Sequence, residues 1–144
     1  VGQRARRLGP ARIVAGKLVA SIALLISLIR PLPGSTPISR PAAIEQLKAL
    51  HRDDNAAVAN LIGYSYRKLG DYKVSQIWYE RALKSDPGHV KTWQYYGLWQ
   101  VEQSNRDQAQ YHLNRIAALA GTQSDEYRSL AAALEKAPGT GLVY

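Results

Sequence analysis

Between Ala56 and Gln123, apolar and small residues recur at helical spacing in two blocks that superpose after a shift of about 34 residues. The first block is AAVANLIGYSYRKLGDYKVSQIWYERALKSDPGH and the second is VKTWQYYGLWQVEQSNRDQAQYHLNRIAALAGTQ. Gly63 falls on Gly97, Ser75 on Ala109, Tyr79 on Leu113, and Ala82 on Ile116. Each block splits into two periodic runs. Leu69-Gly70-Asp71 supplies a stop, a left-handed turn and an N-cap, and Ser85-Asp86-Pro87-Gly88 ends a helix by removing a donor and freeing the backbone. The pattern predicts helices over 56–69, 72–85, 90–103 and 106–119. Small residues at Gly63, Ser75, Ala82, Gly97 and Ala109 let paired helices approach closely, with Tyr66, Tyr79, Trp93 and Leu113 filling the space around them. Such a pair leaves an apolar face that only a neighbouring pair can cover.

The flanks continue the pattern in half-units. Pro41 suits a first helical turn, and Ile44, Leu47 and Leu50 follow at helical spacing, so 41–52 reads as the second helix of a unit whose first is missing. Asp53-Asp54-Asn55 offers caps for the helix that begins near Ala56. After Ala120-Gly121, Thr122 and Ser124 offer caps for a last helix over 124–136, in which Tyr127, Leu130 and Leu134 are periodic and Ala131 stands where the blocks carry Gly. The expected organisation is an N-terminal arm over 1–40, a helical domain over 41–136 with repeats at 56–89 and 90–123 and a capping helix at 124–136, and a mobile tail over 137–144.

These residues resemble the tetratricopeptide repeat family, whose pattern is an aromatic, then Leu-Gly, Tyr, Ala, an aromatic, Ala and Pro at fixed offsets. In the first block Ile62-Gly63, Tyr66, Tyr79, Ala82 and Pro87 match, with Ala59 at the first aromatic position and Ser75 at an Ala position. In the second block Trp93, Gly97, Ala109 and Leu113 match, while Gln100, Ile116 and Gly121 replace Tyr, Ala and Pro. The resemblance implies an all-α solenoid of antiparallel helix hairpins: a half-unit, two repeats and a C-terminal capping helix. The order of elements, ending in EYRSLAAAL, also resembles small exported repeat proteins of alphaproteobacteria. Ala120 to Asp125 holds no cysteine, so no redox or metal role is implied by that likeness.

The resemblance also implies where a ligand would lie: along the concave face built by the first helix of each pair. Matched position by position, that face takes Asn60, Tyr64, Arg67 and Lys68 from the first repeat, Lys91, Gln94, Leu98 and Glu102 from the second, and Asp125 and Arg128 from the cap. Tyr64 and Leu98 suit an apolar side chain, and Arg67, Lys91 and Arg128 suit a carboxylate. The family's clamp for C-terminal carboxylates is not implied, because Asn60 stands at a Lys position and Tyr64 at an Asn position. The resemblance thus implies a protein- or peptide-binding module with no bond made or broken, an adaptor or assembly factor at the cell envelope. The alternatives are a self-assembling module or dimer, and binding of anionic lipid or nucleic acid by the basic arm.

Charge sharpens the last alternative. The 144 residues carry a net charge of +8, but residues 1–40 hold seven of the Lys and Arg and no acid, so the remainder, with twelve basic residues against eleven acidic, is almost neutral. Nucleic acid is therefore not the expected partner of the helical part. The arm itself places Arg4, Arg6, Arg7, Arg12 and Lys17 before the apolar run Leu18–Ile29 and then RPLPGSTPIS. A basic stretch, a dozen apolar residues and a Pro- and Ser-rich exit describe an export signal, and counted from Ile13 a segment just long enough for a membrane anchor over 13–29. Arg30 and the lack of an A-x-A site are atypical of a cleaved signal. The expected location is the periplasm, free or anchored on its outer face of the membrane. A core helix is the competing reading of the same run, though it would have no polar face for water. The chain has no Met and begins at Val1, so a trimmed or misassigned start is expected.

No catalytic constellation is expected. The chain has no Cys, and no phosphate loop, nucleophile elbow or dinucleotide fingerprint. His51, His89 and His112 are not spaced as ligands, so neither a metal nor any other cofactor is expected, and His112 is expected on the exposed side of its helix. Trp93 has a core position in the repeat. Trp78 and Trp99 have none assigned, and exposed there they would mark a partner or self-association face.

Overall fold

The computed structural model describes residues 39–137, and the apolar arm expected over 13–29 and most of the tail lie outside them. Six helices fill this stretch: α1 (Arg40–Lys48), α2 (Ala56–Lys68), α3 (Tyr72–Ser85), α4 (Val90–Glu102), α5 (Arg106–Ala120) and α6 (Asp125–Glu135). Among the described residues there is no strand.

Local chemistry sets the boundaries. Ser39, Asn55, Asp71 and Ser124 each accept a hydrogen bond from a backbone N–H in the first turn of the helix they precede, at 3.2 to 3.4 Å. Gly70, at φ 83°, makes the turn between α2 and α3 in the left-handed region. Of the three candidate caps before α2, Asn55 is the one that caps, while Asp53 pairs with Arg81 at 3.3 Å and Asp54 with Arg52 at 3.9 Å. α1 stops at Lys48, short of Arg52, because the chain turns through Ala49 and Leu50 and His51 takes a left-handed backbone at φ 48°.

Packing makes a solenoid of hairpins. α2 pairs with α3 and α4 with α5; α1 covers α2, α6 covers α4 and α5, and α2, α4 and α6 lie in sequence as one layer. Two glycines permit the closest approaches. A Cβ on Gly63 would sit 2.9 Å from the Tyr79 ring and 3.2 Å from the Ser75 carbonyl, and one on Gly97 would overlap the Leu130 side chain. Ser75 Oγ donates to the Gly63 carbonyl at 2.7 Å, which fixes the α2–α3 contact with a polar link inside an apolar surround.

The core falls into three clusters. One centres on Leu47, Val58, Ile62, Trp78 and Ala82, a second on Trp93, Leu98, Leu113, Ile116 and Leu130, and a third, between them, on Tyr79, Tyr96 and Trp99. Trp78 and Trp99 are therefore core residues, and neither marks an exposed face. Trp99 Nε1 donates to the Tyr72 carbonyl at 3.1 Å and Trp93 Nε1 to the Pro87 carbonyl at 2.8 Å, which satisfies these two indole donors.

His112 corrects the expectation of exposure. It is 3% exposed, with its ring edge-on to Tyr96 at 4.8 Å and to Trp93 at 5.0 Å. The reason lies in the 34-residue register, since position 112 is the counterpart of Trp78 and both sit on the buried side of a second helix. Burial pushes the His112 pKa down, although Nδ1 lies 3.2 Å from the Trp93 carbonyl.

Candidate binding groove

The layer α2, α4, α6 builds the inner face, and the register brings out a row that a single helix would not reveal. On α2 the half-exposed positions Ala57, Leu61, Tyr64 and Lys68 recur at i, i+4, i+7 and i+11, on one side of the helix. Their counterparts on α4 are Lys91, Tyr95, Leu98 and Glu102. The two rows meet at Tyr64 and Tyr95, whose ring centroids lie 5.2 Å apart. Lys68 Nζ sits 5.6 Å above the Tyr64 ring, a cation–π contact on the groove surface.

Tyr64 and Lys68 thus stand on the face with part of each side chain open. Burial pushes the Tyr64 pKa up and that of Lys68 down, and for Lys68 the neighbouring positive charge of Arg67 acts in the same direction. Lys91 is exposed and its Nζ reaches Glu126 at 2.9 Å and Gln94 Oε1 at 3.3 Å; the hydrogen bond from Lys91 holds the Glu126 carboxyl below its ordinary pKa. Arg128 is exposed and paired with Asp125 one turn earlier in α6.

The other four sequence-derived residues lie deeper. Asn60, Gln94 and Leu98 are 3%, 7% and 6% exposed. Asn60 Oδ1 is buried with no hydrogen-bond partner. Arg67 is buried at the seam between α2 and α4 and is not free to receive a ligand carboxylate: Nε and Nη2 donate to the two Glu102 oxygens at 2.9 and 3.0 Å, and Nη1 donates to the Tyr95 carbonyl at 3.1 Å. The accessible middle of the inner face is therefore Leu61, Tyr64 and Tyr95, with cations at Lys68 and Lys91 on its rim, while Leu98 belongs to the core beneath and not to the surface a ligand would touch. Sequence reasoning passed over Leu61 and Tyr95, though the register that paired Tyr64 with Leu98 also pairs Leu61 with Tyr95.

Elsewhere, a hollow of about 450 Å³ between Asp53, Asp54, Arg81, Lys84 and Ser85 carries charges of both signs, with the Asp53–Arg81 pair inside it. Among the described residues no group of His, Asp and Glu is placed to hold a metal ion, and no helix is long and apolar enough to cross a membrane.

Comparison with known proteins agrees with this geometry where the sequence pattern is sharpest. Residues 56–89, which span α2, α3 and the turn after them, match the family model of the tetratricopeptide repeat. None of the curated proteins compared with the chain matches it. The fold is a tetratricopeptide-like helical solenoid, and repeats of this kind serve in general as non-catalytic surfaces for protein–protein interaction.

Proposed function

We propose that the inner face of α2 and α4 binds a peptide or a segment of a partner protein, and that the chain is an adaptor or assembly factor at the cell envelope. The observation that carries the binding reading is the partly exposed row Leu61, Tyr64 and Tyr95, an apolar strip on the inner layer with Lys68 and Lys91 on its rim. Such a strip takes apolar side chains from an extended or helical ligand, and the rim cations favour a ligand with acidic residues at its ends. The envelope location rests on the arm alone, whose basic stretch and apolar run Leu18–Ile29 have the order of an export signal or anchor.

The test is selection from a displayed random-peptide library with the full chain, compared with a Tyr64→Ala, Lys68→Ala, Arg128→Ala variant. All three residues are at least partly exposed, so this variant keeps the fold. Enrichment of apolar sequences with flanking acids by the wild type, lost in the variant, supports the groove. Equal enrichment by both chains, or none by either, sinks it.

A second reading has one observation of its own. Ile77 on α3 and Tyr111 on α5 are counterparts in the repeat register and are 61% and 52% exposed, so the outer layer presents two large apolar side chains at equivalent places. Self-association would use that side, and sedimentation of Ile77→Ser, Tyr111→Ser beside the wild type decides it. A dimer that dissociates on substitution supports this reading; a monomer in both cases removes it.

A further inference from the structure

The outer layer carries more than the two apolar side chains that favour self-association. On α3, Lys73, Ile77, Glu80 and Lys84 recur at i, i+4, i+7 and i+11 and are exposed on one side of the helix. One repeat further on, α5 presents Asp107, Tyr111, Asn114 and Ala118 at the same levels, each exposed as well. The two rows are complementary in kind. Lys73 stands at the level of Asp107, Ile77 at that of Tyr111, and Glu80 at that of Asn114.

The chain itself leaves this complementarity open. Among the described residues neither Lys73 nor Asp107 takes part in an ion pair. The Tyr111 ring is steadied edge-on by Trp93 at 6.0 Å and by His112 at 6.1 Å, so it is an exposed side chain already held in place. Asn114 Oδ1 accepts from Gln110 at 3.1 Å, which leaves the amide nitrogen as a donor, and Glu80 spends Oε1 on Gln76 and Tyr96 and keeps Oε2 as an acceptor. The arginines beside these positions are engaged at home: Arg81 with Asp53 at 3.3 Å and over the Trp78 ring at 4.9 Å, Arg115 over the Trp93 ring at 5.4 Å. Lys84 stands level with the uncharged Ala118.

We infer that two copies of this chain pair through α3 and α5 about a two-fold axis parallel to these helices, so that α3 of each copy lies on α5 of the other. A closed two-fold pair makes every contact twice, residue i on j and j on i. With the axis along the helices the levels are kept, and the dimer holds two Lys73–Asp107 pairs, two Ile77–Tyr111 contacts and two Glu80–Asn114 hydrogen bonds. With the axis across the helices, α3 would lie antiparallel on α3 of the other copy. Centred on Ile77, that arrangement sets Lys73 against Arg81 twice, and its compensating contact of Asp107 with Arg115 would draw Arg115 off the Trp93 ring. Charge therefore selects the parallel arrangement. The pairing rests on self-association through the outer layer and adds to it the partner helix, the direction and the register.

Sedimentation of the full chain over a micromolar to millimolar concentration series tests it with Lys73→Glu and Asp107→Lys. Both residues are exposed, and circular dichroism confirms beforehand that each variant keeps the helix content of the wild type. Either change alone brings like charges together at both symmetric contacts and is expected to weaken the dimer about tenfold or more at low salt, with the loss shrinking as salt rises. An equimolar mixture of the two variants is expected to dimerise again, because in the mixed pair the two changed sites meet with opposite sign and the two unchanged sites form the original contact. The double variant recovers for the same reason. A mixture that stays monomeric overturns the register, and tighter association of Lys73→Glu alone overturns it in favour of the antiparallel arrangement. If the wild type is monomeric throughout the series, self-association fails and the pairing fails with it. If the dimer is lost in Ile77→Ser, Tyr111→Ser but is indifferent to both charge reversals, self-association stands and only this arrangement is rejected.

Discussion

Arg67 on α2 and Glu102 on α4 form a two-pronged ion pair, 2.9 and 3.0 Å, with both side chains almost wholly buried. A third donor of Arg67 reaches the Tyr95 carbonyl, so the guanidinium joins a side chain and the backbone of the next repeat. Removing one partner strands the other charge in the seam. Arg67→Ala or Glu102→Ala is expected to cost about 3–5 kcal/mol, whereas the double change Arg67→Met, Glu102→Leu costs much less because no charge is left unpaired. Urea unfolding of the four chains checks this. Single changes as mild as surface substitutions would show that water reaches the seam.

At Gly63 an added methyl group meets a rigid ring and a backbone oxygen, neither of which can turn aside. Gly63→Ala is expected to lose about 1–3 kcal/mol by forcing α2 and α3 apart. Its measure is the same urea midpoint, with Gly70→Asn as a control that keeps a residue tolerant of the left-handed turn.

Burial lowers the pKa of His112, and also that of His89, beside Thr92 at 2.7 Å. The unfolded chain then takes up protons first as pH falls through the ordinary histidine range. Stability from these groups is present above about pH 6.5 and declines as pH drops towards their folded values, by at most about 1.4 kcal/mol per pH unit for each group. The fold should be less stable at pH 5.5 than at pH 7.5. His112→Gln should flatten part of that slope and leave the His89 share, as thermal melts across this range will reveal; an unchanged slope would place His112 in contact with water.

For the groove, Tyr64→Ala is expected to weaken a selected peptide by roughly 30-fold or more, the loss typical of a central aromatic anchor. Lys91→Ala removes a partly exposed pair with Glu126 and should change stability by no more than about 1 kcal/mol. Titration of the selected peptide by calorimetry reads the first effect. If Tyr64→Ala binds as tightly as the wild type, the inner row is not the anchor.

The helices were legible because their ends are written in single residues. Asn55, Asp71 and Ser124 cap as their chemistry requires, and Gly70 makes the one turn where it was expected. Burial on the far side of a helix was not. Arg67 occupies a position that in sequence is indistinguishable from those of Tyr64 and Lys68, and only the approach of α4, with Glu102 and the Tyr95 carbonyl, holds it inward. Trp78 and His112 illustrate a signal that was present and went unread: they are one repeat apart, so burial of either implies burial of the other.

The aromatic cluster of Tyr79, Tyr96 and Trp99 belongs to neither hairpin alone, since its first member lies on α3 and the others on α4. In a linear array, each repeat contributes its own stability and each boundary contributes a coupling. Here the boundary holds a stacked tyrosine pair at 5.5 Å, an indole bonded back to Tyr72, and the Arg67 fork. These links add a coupling between neighbours to the packing within each hairpin, and the two repeats are expected to melt together in one transition, with no populated state in which one is folded beside an unravelled other.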